Sequence, residues 1–395
     1  MKIDLGLLVS KKRLVLAGII GRYPVGGVTW CAIHYIAGFQ QLGYEVFYLE
    51  DTGECGFDPV SNAITKDPSY AINYIRRHLE LVGLQDSWAY VDHTGRFHGK
   101  SRQQVADFCS KAQVMVNLSG GCWFSRTEYE GLQRIFIDTD PGFTQLNIAE
   151  ARTMDANWTG YSSHADFFSA HKTLFTFALN VDSATCGLPE TEFCWHPTMQ
   201  PLALEFWPMT TPPPQAPYTA ILSWRIDSFA GMGKGKSGEI LQMIDLPSKS
   251  PQEILLAIAG RAPTDLLSQH GWKLTDAVAA TIDPFVYRAF IQSSRAELGF
   301  AKAMYVETRS GWFSDRTQCY LASGRPALVR DTGFSVILPI GEGLLTFTSE
   351  QEIILGMKEI ERDYAHHSRR AREIAEEYFS ADTVLRNLLQ TAGLI

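Results

Sequence analysis

The sequence predicts an α/β chain made of two parallel-sheet halves that face each other across a cleft, with a helical tail at the end. Three observations carry this. Short apolar runs alternate with helical periods through residues 13–180, and the alternation restarts after residue 218. A proline-dense stretch separates the two series. The apolar runs of the first series also lead into polar, glycine-bearing segments, as strands do when their carboxyl ends carry ligand loops.

The elements follow in order. "RLVLAGII" has the length and composition of a buried strand, and "GRYPVGG" reads as a turn-rich loop. "VTWCAIHYIAGFQQLG" predicts a helix beginning near Val28 and ending at Gly43, and "YEVFYLED" a second strand, which completes a βαβ unit. "DPSYAINYIRRHLELVG" predicts a helix stopped by Gly83. "AQVMVNLSGG", "RIFIDTDPGF" and "KTLFTFALN" predict further strands. Residues 190–218 include "PTMQPLALEFWPMTTPPPQAP", whose prolines exclude a long helix or a central strand, so this is the predicted linker. "YTAILSW" then reopens the strand pattern. "SPQEILLAIAG" predicts a helix with Ser250 as N-cap, Pro251 at the first position and Glu253 in a capping box, and "SEQEIILGMKEI" repeats that signature with Ser349 and Glu352. The closing "SRRAREIAEEYFSADTVLRNLLQTAG" predicts an amphipathic helical tail.

Bulk properties narrow the function classes. A chain of 395 residues, 45% hydrophobic, is long enough for two domains. A net charge of −8 without a basic cluster argues against a nucleic-acid surface. The seven cysteines form no CxxC pair, which fits a reduced, cytoplasmic protein. The start shows no signal-peptide cleavage site and no run reaches transmembrane length, so a soluble protein without a membrane span is expected.

Four stretches carry candidate chemistry. In "GRYPVGGVTW", Gly26 and Gly27 would let a ligand approach the backbone at a helix N-terminus, although the loop lacks the dinucleotide G-x-G-x-x-G spacing and also reads as a plain turn. In "IDTDPGF", Asp138 and Asp140 stand two apart at a strand end, so one could face the cleft as a general base while both could equally cap turns. In "SWRIDSFAGMGKGKSGE", Ala230 stands where a phosphate loop needs glycine, which excludes that motif but leaves Lys234 and Lys236 able to meet a phosphate. In "WFSDRTQCYLASGRPALVRDTGF", Ser314 is the expected N-cap of a helix 315–323, which puts Arg316 at the positive end of the helix dipole. Either Asp315 or a bound anion could offset that cost. His34 is a weaker candidate base, and Cys186, Cys194 and His196 have the residue types but not the spacing of a zinc site.

These stretches together resemble the GT-B glycosyltransferases of the glycosyl transferases group 1 type. The opening "GRYPVGGVTWCAIHYIAGFQQLGYEVFYLED", the restart "AILSWRIDSFAGMGKGKSGE", the segment "SDRTQCYLASGRPALVRDTGF" and the helical tail carry the likeness. It implies two Rossmann-like domains around a central cleft: an acceptor domain over residues 1–205, a donor domain over 206–375, and a C-terminal helix, 376–395, returning to the first domain. It implies a hexosyltransferase-like enzyme that takes a nucleotide-sugar as donor substrate, uses no catalytic metal and no other cofactor, and transfers to a small-molecule or glycan acceptor. Alternatives on the same architecture are a nucleotide-sugar epimerase and an inactive nucleotide-sugar-binding homologue. The expected catalytic residues are Asp140, Asp138 and His34. The expected donor residues are Gly26, Gly27, Ser223, Lys234, Lys236, Arg309, Ser310, Arg316, Asp331, Thr332 and Gly333. One departure stands out: the Glu-x7-Glu pair of many retaining members falls on Gly311 and Cys319, so neither glutamate is present. Oligomeric state is not legible.

Overall fold

The computed structural model of the chain describes residues 12–123, 126–153, 165–224 and 235–395. The first lobe contains strands β1 (Arg13–Ala17) and β2 (Glu45–Glu50), a separate antiparallel hairpin β3 (Gly56–Asp58) and β4 (Ala63–Thr65), then β5 (Trp88–Val91), β6 (Phe97–Gly99), β7 (Ala112–Leu118), β8 (Arg134–Asp138), β9 (Thr173–Thr176) and β10 (Trp195–Pro197). Apart from the hairpin these form one sheet in the order β10-β9-β8-β7-β1-β2-β5-β6, parallel except at the β5–β6 edge. The second lobe is a wholly parallel sheet of β11 (Tyr218–Ser223), β12 (Ile254–Ala259), β13 (Lys273–Asp276), β14 (Ala296–Gly299), β15 (Ala327–Arg330) and β16 (Leu344–Phe347), in the order β13-β12-β11-β14-β15-β16. Central strands such as Leu14–Ala17 are apolar and buried, as a parallel sheet covered on both faces requires.

The helices that position the site are α1 (Gly26–Gln41), α2 (Ser69–Leu79), α3 (Phe143–Thr153), α4 (Gly235–Gln242), α5 (Pro284–Ser293), α6 (Ala303–Glu307), α7 (Asp315–Ala322), α8 (Glu350–Arg362), α9 (Tyr364–Phe379) and α10 (Ala381–Thr391). α1 is apolar on nearly every side because it is covered by two other helices: α5 of the second lobe and α10 of the tail. Gly38 makes the second contact possible, since a Cβ there would stand 2.5 Å from Leu385 Cδ1. The tail returns to the first lobe as expected, but as two helices broken at Ser380, whose backbone pairs with Leu202 of the linker. Among the described residues, no helix is long and apolar enough to cross a membrane.

One predicted element changes type. "SPQEILLAIAG" is strand β12, not a helix. Six successive apolar residues give no polar face for a helix to show solvent, and β11 and β13 flank the run on either side. Ser250 instead closes a short turn by accepting from Gln252 N at 3.1 Å. The parallel signature at Ser349 does start a helix: Ser349 Oγ accepts from Glu352 N, and α8 follows. α1 begins two residues earlier than predicted, at Gly26.

Candidate active site

The carboxyl edges of the two sheets face each other, and a seam of hydrogen bonds joins them. Asn180, after β9, is the densest point of that seam. Its N–H donates to Ser310 O, and its side-chain amide donates to Arg309 O and Gly333 O. Trp312 Nε1 donates to Thr139 O, and Trp30 Nε1 donates to Pro284 O at 2.7 Å.

Asp140 lies in this crevice. Its two carboxylate oxygens accept from Lys302 Nζ at 2.9 and 2.8 Å, and Oδ1 also accepts from the Tyr305 hydroxyl. Lys302 is further enclosed by the rings of Phe143, 4.6 Å away, and Tyr305. Asp140 is thus half-exposed and aimed across the crevice, but engaged by the second lobe. Asp138 is different. It is buried, accepts from Thr144 Oγ1, Gln145 Nε2, Thr176 Oγ1 and the Asp140 N–H, and so ties β8 to β9 and to the first turns of α3. Burial raises its pKa, partly offset by Thr144, Gln145 and Thr176. These contacts make it a structural anchor rather than a group open to substrate. His34 does not reach the crevice. It is stacked on Trp30 in the core, with its nitrogens facing Ala203 N and Trp207 Nε1, and burial lowers its pKa to about 3.

On the second lobe, Arg316 is in the first turn of α7, as predicted, and the electrostatic puzzle of that placement has an internal answer. Its Nε donates to Glu297 Oε1 at 2.7 Å and its Nη1 to Ile221 O at 3.0 Å. Glu297, on β14, is fully buried, and its other oxygen has no partner. Burial opposes charge on Arg316, but Glu297 and the neighbouring phenols outweigh it and hold the guanidinium above its ordinary pKa. Ser314 is at the N-cap position without making a side-chain cap. The adjacent Asp315 carboxylate is in the same first turn, and burial raises its pKa against the pull of Arg316.

A narrow recess of about 20 Å³, room for a water-sized group, opens beside Arg316 at the carboxyl ends of β14 and β15, with Gly299, Trp312, Ser314, Thr317, Arg330 and Thr332 in its wall. Lys236, in the first turn of α4, is half-buried nearby. Burial, then the like charges of Arg316 and Lys302, lower its ammonium to about 7, against the pull of Glu297 and Asp140.

The remaining expected donor residues divide. Ser223 is exposed at the carboxyl end of β11, and Arg309 is exposed with a left-handed backbone (φ 48°). Ser310 is buried and its hydroxyl accepts from Trp312 N. Asp331 caps its own turn through Gly333 N and Ser335 Oγ, and Thr332 donates to Trp312 O. Two of the three glycines expected at the donor are closed off by protein: a Cβ on Gly26 would stand 2.6 Å from Tyr287 Cβ, and one on Gly333 2.6 Å from Asn180 Nδ2. Gly27 keeps more room, its nearest neighbour being Tyr287 at 3.8 Å. Lys234 lies outside the described residues.

Asn180 also explains the first absent glutamate. Gly311 has φ 77°, and a side chain there would begin 2.8 Å from Asn180 N. The carboxylates the site does hold are Asp140, Asp315 and Glu297. Sequence reasoning missed Lys302, Tyr305, Glu297 and Asn180, because their roles come from contacts between distant elements. It also missed Glu50, buried at the end of β2, which clamps the first glycine loop by accepting from Gly21 N and Arg22 N. Among the described residues no group of three or more His, Cys, Asp or Glu could hold a metal ion.

No protein-family model and no curated protein sequence matches the chain. Solved structures do. An α-glucosyltransferase in complex with UDP-glucose and DNA containing an abasic site matches with a TM-score of 0.56 at 9% identity, covering 96% of this chain and 98% of its own. Sucrose-phosphate synthase from Thermosynechococcus elongatus matches at 0.54 and 11% identity, covering 96% and 98%. Anabaena HepE in complex with UDP and glucose matches at 0.54 and 11% identity, covering 98% and 100%. The chain therefore has the GT-B fold over nearly its whole length.

Proposed function

We propose that the chain is a glycosyltransferase that moves a sugar from a nucleoside-diphosphate sugar to a small-molecule or glycan acceptor. The observation that carries this reading is the Lys302–Asp140 pair between the two lobes, with Lys236 near enough to Arg316, Lys302 and Asp140 to feel their charges. Basic side chains in such a place balance charge on a departing diphosphate, with no step that calls for a metal. The donor would lie in the crevice with its diphosphate near Lys236 and Arg316, and Asp140, released from Lys302, would orient or deprotonate the acceptor hydroxyl. UDP is the first nucleotide to try, since structural neighbours are described with UDP or UDP-glucose. One neighbour is described with DNA; the net charge of −8 favours a non-nucleic-acid acceptor here.

One observation favours a second reading. Asp138 is locked, Asp140 is engaged by Lys302 and Tyr305, and Asp315 puts a carboxylate in the first turn of α7, where a phosphate would otherwise be favoured. A protein that binds nucleotide-sugars without turnover would look the same.

A thermal-shift screen against UDP-, GDP-, dTDP- and ADP-sugars, followed by product analysis with and without acceptors, separates these readings. Stabilisation with transferred product supports transfer, and stabilisation without product supports binding alone. A new nucleotide-sugar formed without acceptor marks an epimerase. No stabilisation by any of them overturns the donor assignment.

A further inference from the structure

A second cavity, of about 330 Å³, lies on the seam between the lobes and has no part in the chemistry above. One wall is a stripe of α2: Tyr70, Asn73, Tyr74 and Arg77, spaced three or four apart on one helix face, followed by His78. The other wall is Ile282 and Asp283, which belong to the second lobe and lead into α5. Its volume is at the lower end of the range of small-molecule sites.

The wall is held firmly, with Asp283 capping α5 through Phe285 N, while the donors on Tyr70 and Asn73 are left unused. His78 is buried and spent, with one ring nitrogen on Tyr74 O at 2.9 Å and the other on Asp283 Oδ2 at 3.0 Å. The Tyr74 hydroxyl is fixed by Thr29 Oγ1 at 3.0 Å. The rings of Tyr70 and Tyr74 are stacked at 6.0 Å, and Tyr74 meets His78 at 4.1 Å, so the aromatic surface is a ladder rather than a loose pair. By contrast, the Tyr70 hydroxyl and the Asn73 side-chain N–H groups have no hydrogen-bond partner among the described residues. Arg77, 72% exposed, is 3.8 Å from Asp283 Oδ2, beyond hydrogen-bond reach. One guanidinium faces one carboxylate, so the cavity has no surplus charge with which to select a phosphate or a nucleotide. What it offers is an aromatic face bordered by planar donors and acceptors, the combination that fits the apolar face and the equatorial hydroxyls of a sugar ring.

We propose that this cavity is a saccharide-binding subsite that takes a neutral pyranose ring on Tyr70, with its hydroxyls bonded by Asn73 and Arg77. The subsite is independent of the transfer reaction: a chain that binds donor without turnover would carry it equally.

The test is saturation-transfer NMR on the full chain with glucose, galactose, N-acetylglucosamine, maltose, cellobiose and lactose, and with inorganic phosphate as competitor. At least one neutral saccharide is expected to give transfer signals that phosphate does not displace. Its affinity should fall about tenfold in Tyr70→Ala and in Arg77→Met, as loss of one stacking or charge-assisted contact predicts. Both side chains reach solvent, so an unchanged melting temperature checks that the variants fold. Absence of any saccharide signal, survival of the signal in both variants, or displacement by phosphate would each overturn the assignment. Free saccharides carry no diphosphate and UDP alone carries no sugar, so failure of saccharide binding here leaves stabilisation by UDP, and with it the donor reading, standing, and the reverse.

Discussion

Lys302 Nζ lies 2.8 Å from Asp140 Oδ2, and this ion pair joins the two lobes at the point where the proposed reaction takes place. Both side chains are nearly half exposed, at 43% and 48%, so the pair itself contributes at most about 1 kcal/mol to stability. Asp140→Asn and Lys302→Ala should therefore unfold at nearly wild-type urea concentrations. Transfer should behave differently, with Asp140→Asn lowering it about 100-fold or more if the carboxylate acts on the acceptor. Wild-type turnover in Asp140→Asn would remove Asp140 from the chemistry.

Arg316 and Glu297 form the opposite kind of pair. Arg316→Ala would leave a carboxylate buried without its partner, at a cost of about 3–5 kcal/mol. Loss of donor binding in that variant alone would be uninterpretable. The double variant Arg316→Met/Glu297→Leu removes both charges at similar volume and should recover much of the stability while still failing to bind donor. Denaturation midpoints with nucleotide titrations on all three proteins check this. Recovery of donor affinity in the double variant would show that Arg316 does not touch the diphosphate.

Lys236 gives a pH dependence. Its pKa is lowered to about 7 in the free protein from an ordinary 10.5, so between those values the unfolded chain binds more protons than the folded one, and this group's contribution to stability rises with pH across the window. A diphosphate beside it would favour the ammonium. Donor binding above pH 7 should then take up a proton, and affinity should weaken as pH rises from 7 towards 9. Calorimetry in two buffers of different ionisation enthalpy measures the uptake, which should vanish in Lys236→Gln.

His34 titrates in the core. Its pKa is lowered from 6.5 to about 3 by burial, so the unfolded chain binds the extra proton and stability falls as pH drops from 6.5 towards 3. The slope from this one group approaches about 1.4 kcal/mol per pH unit. Urea midpoints of wild type and His34→Gln between pH 7 and 4 should converge as pH falls.

Most of the architecture was legible because a parallel sheet covered on both faces demands apolar runs, and those runs stand out between glycine and proline breaks. β12 was misread for the same reason: Ser250-Pro251 imitates a helix start, and only the neighbours β11 and β13 decide the matter. In the site, Asp140 and Arg316 were legible as a strand-end carboxylate and a misplaced cation. Their partners were not. Lys302 stands 162 residues from Asp140 and carries no local pattern. Asn180 reads as an ordinary strand-end asparagine until the segments 309–311 and 331–333 close around it. At Gly26 and Gly333 the room that a glycine leaves is taken by the opposite lobe, because sequence reports the need for a small residue but not what approaches it.

The packing of α10 against Gly38 has a consequence for synthesis. α1 leaves the ribosome early, with one apolar flank intended for Leu385 and Ala381. That flank stays bare until α10 has been translated, so the first lobe cannot complete its core as it emerges. A nascent chain stalled before residue 381 should display this flank to chaperones, and the release of residues 381–391 should be the step that withdraws it.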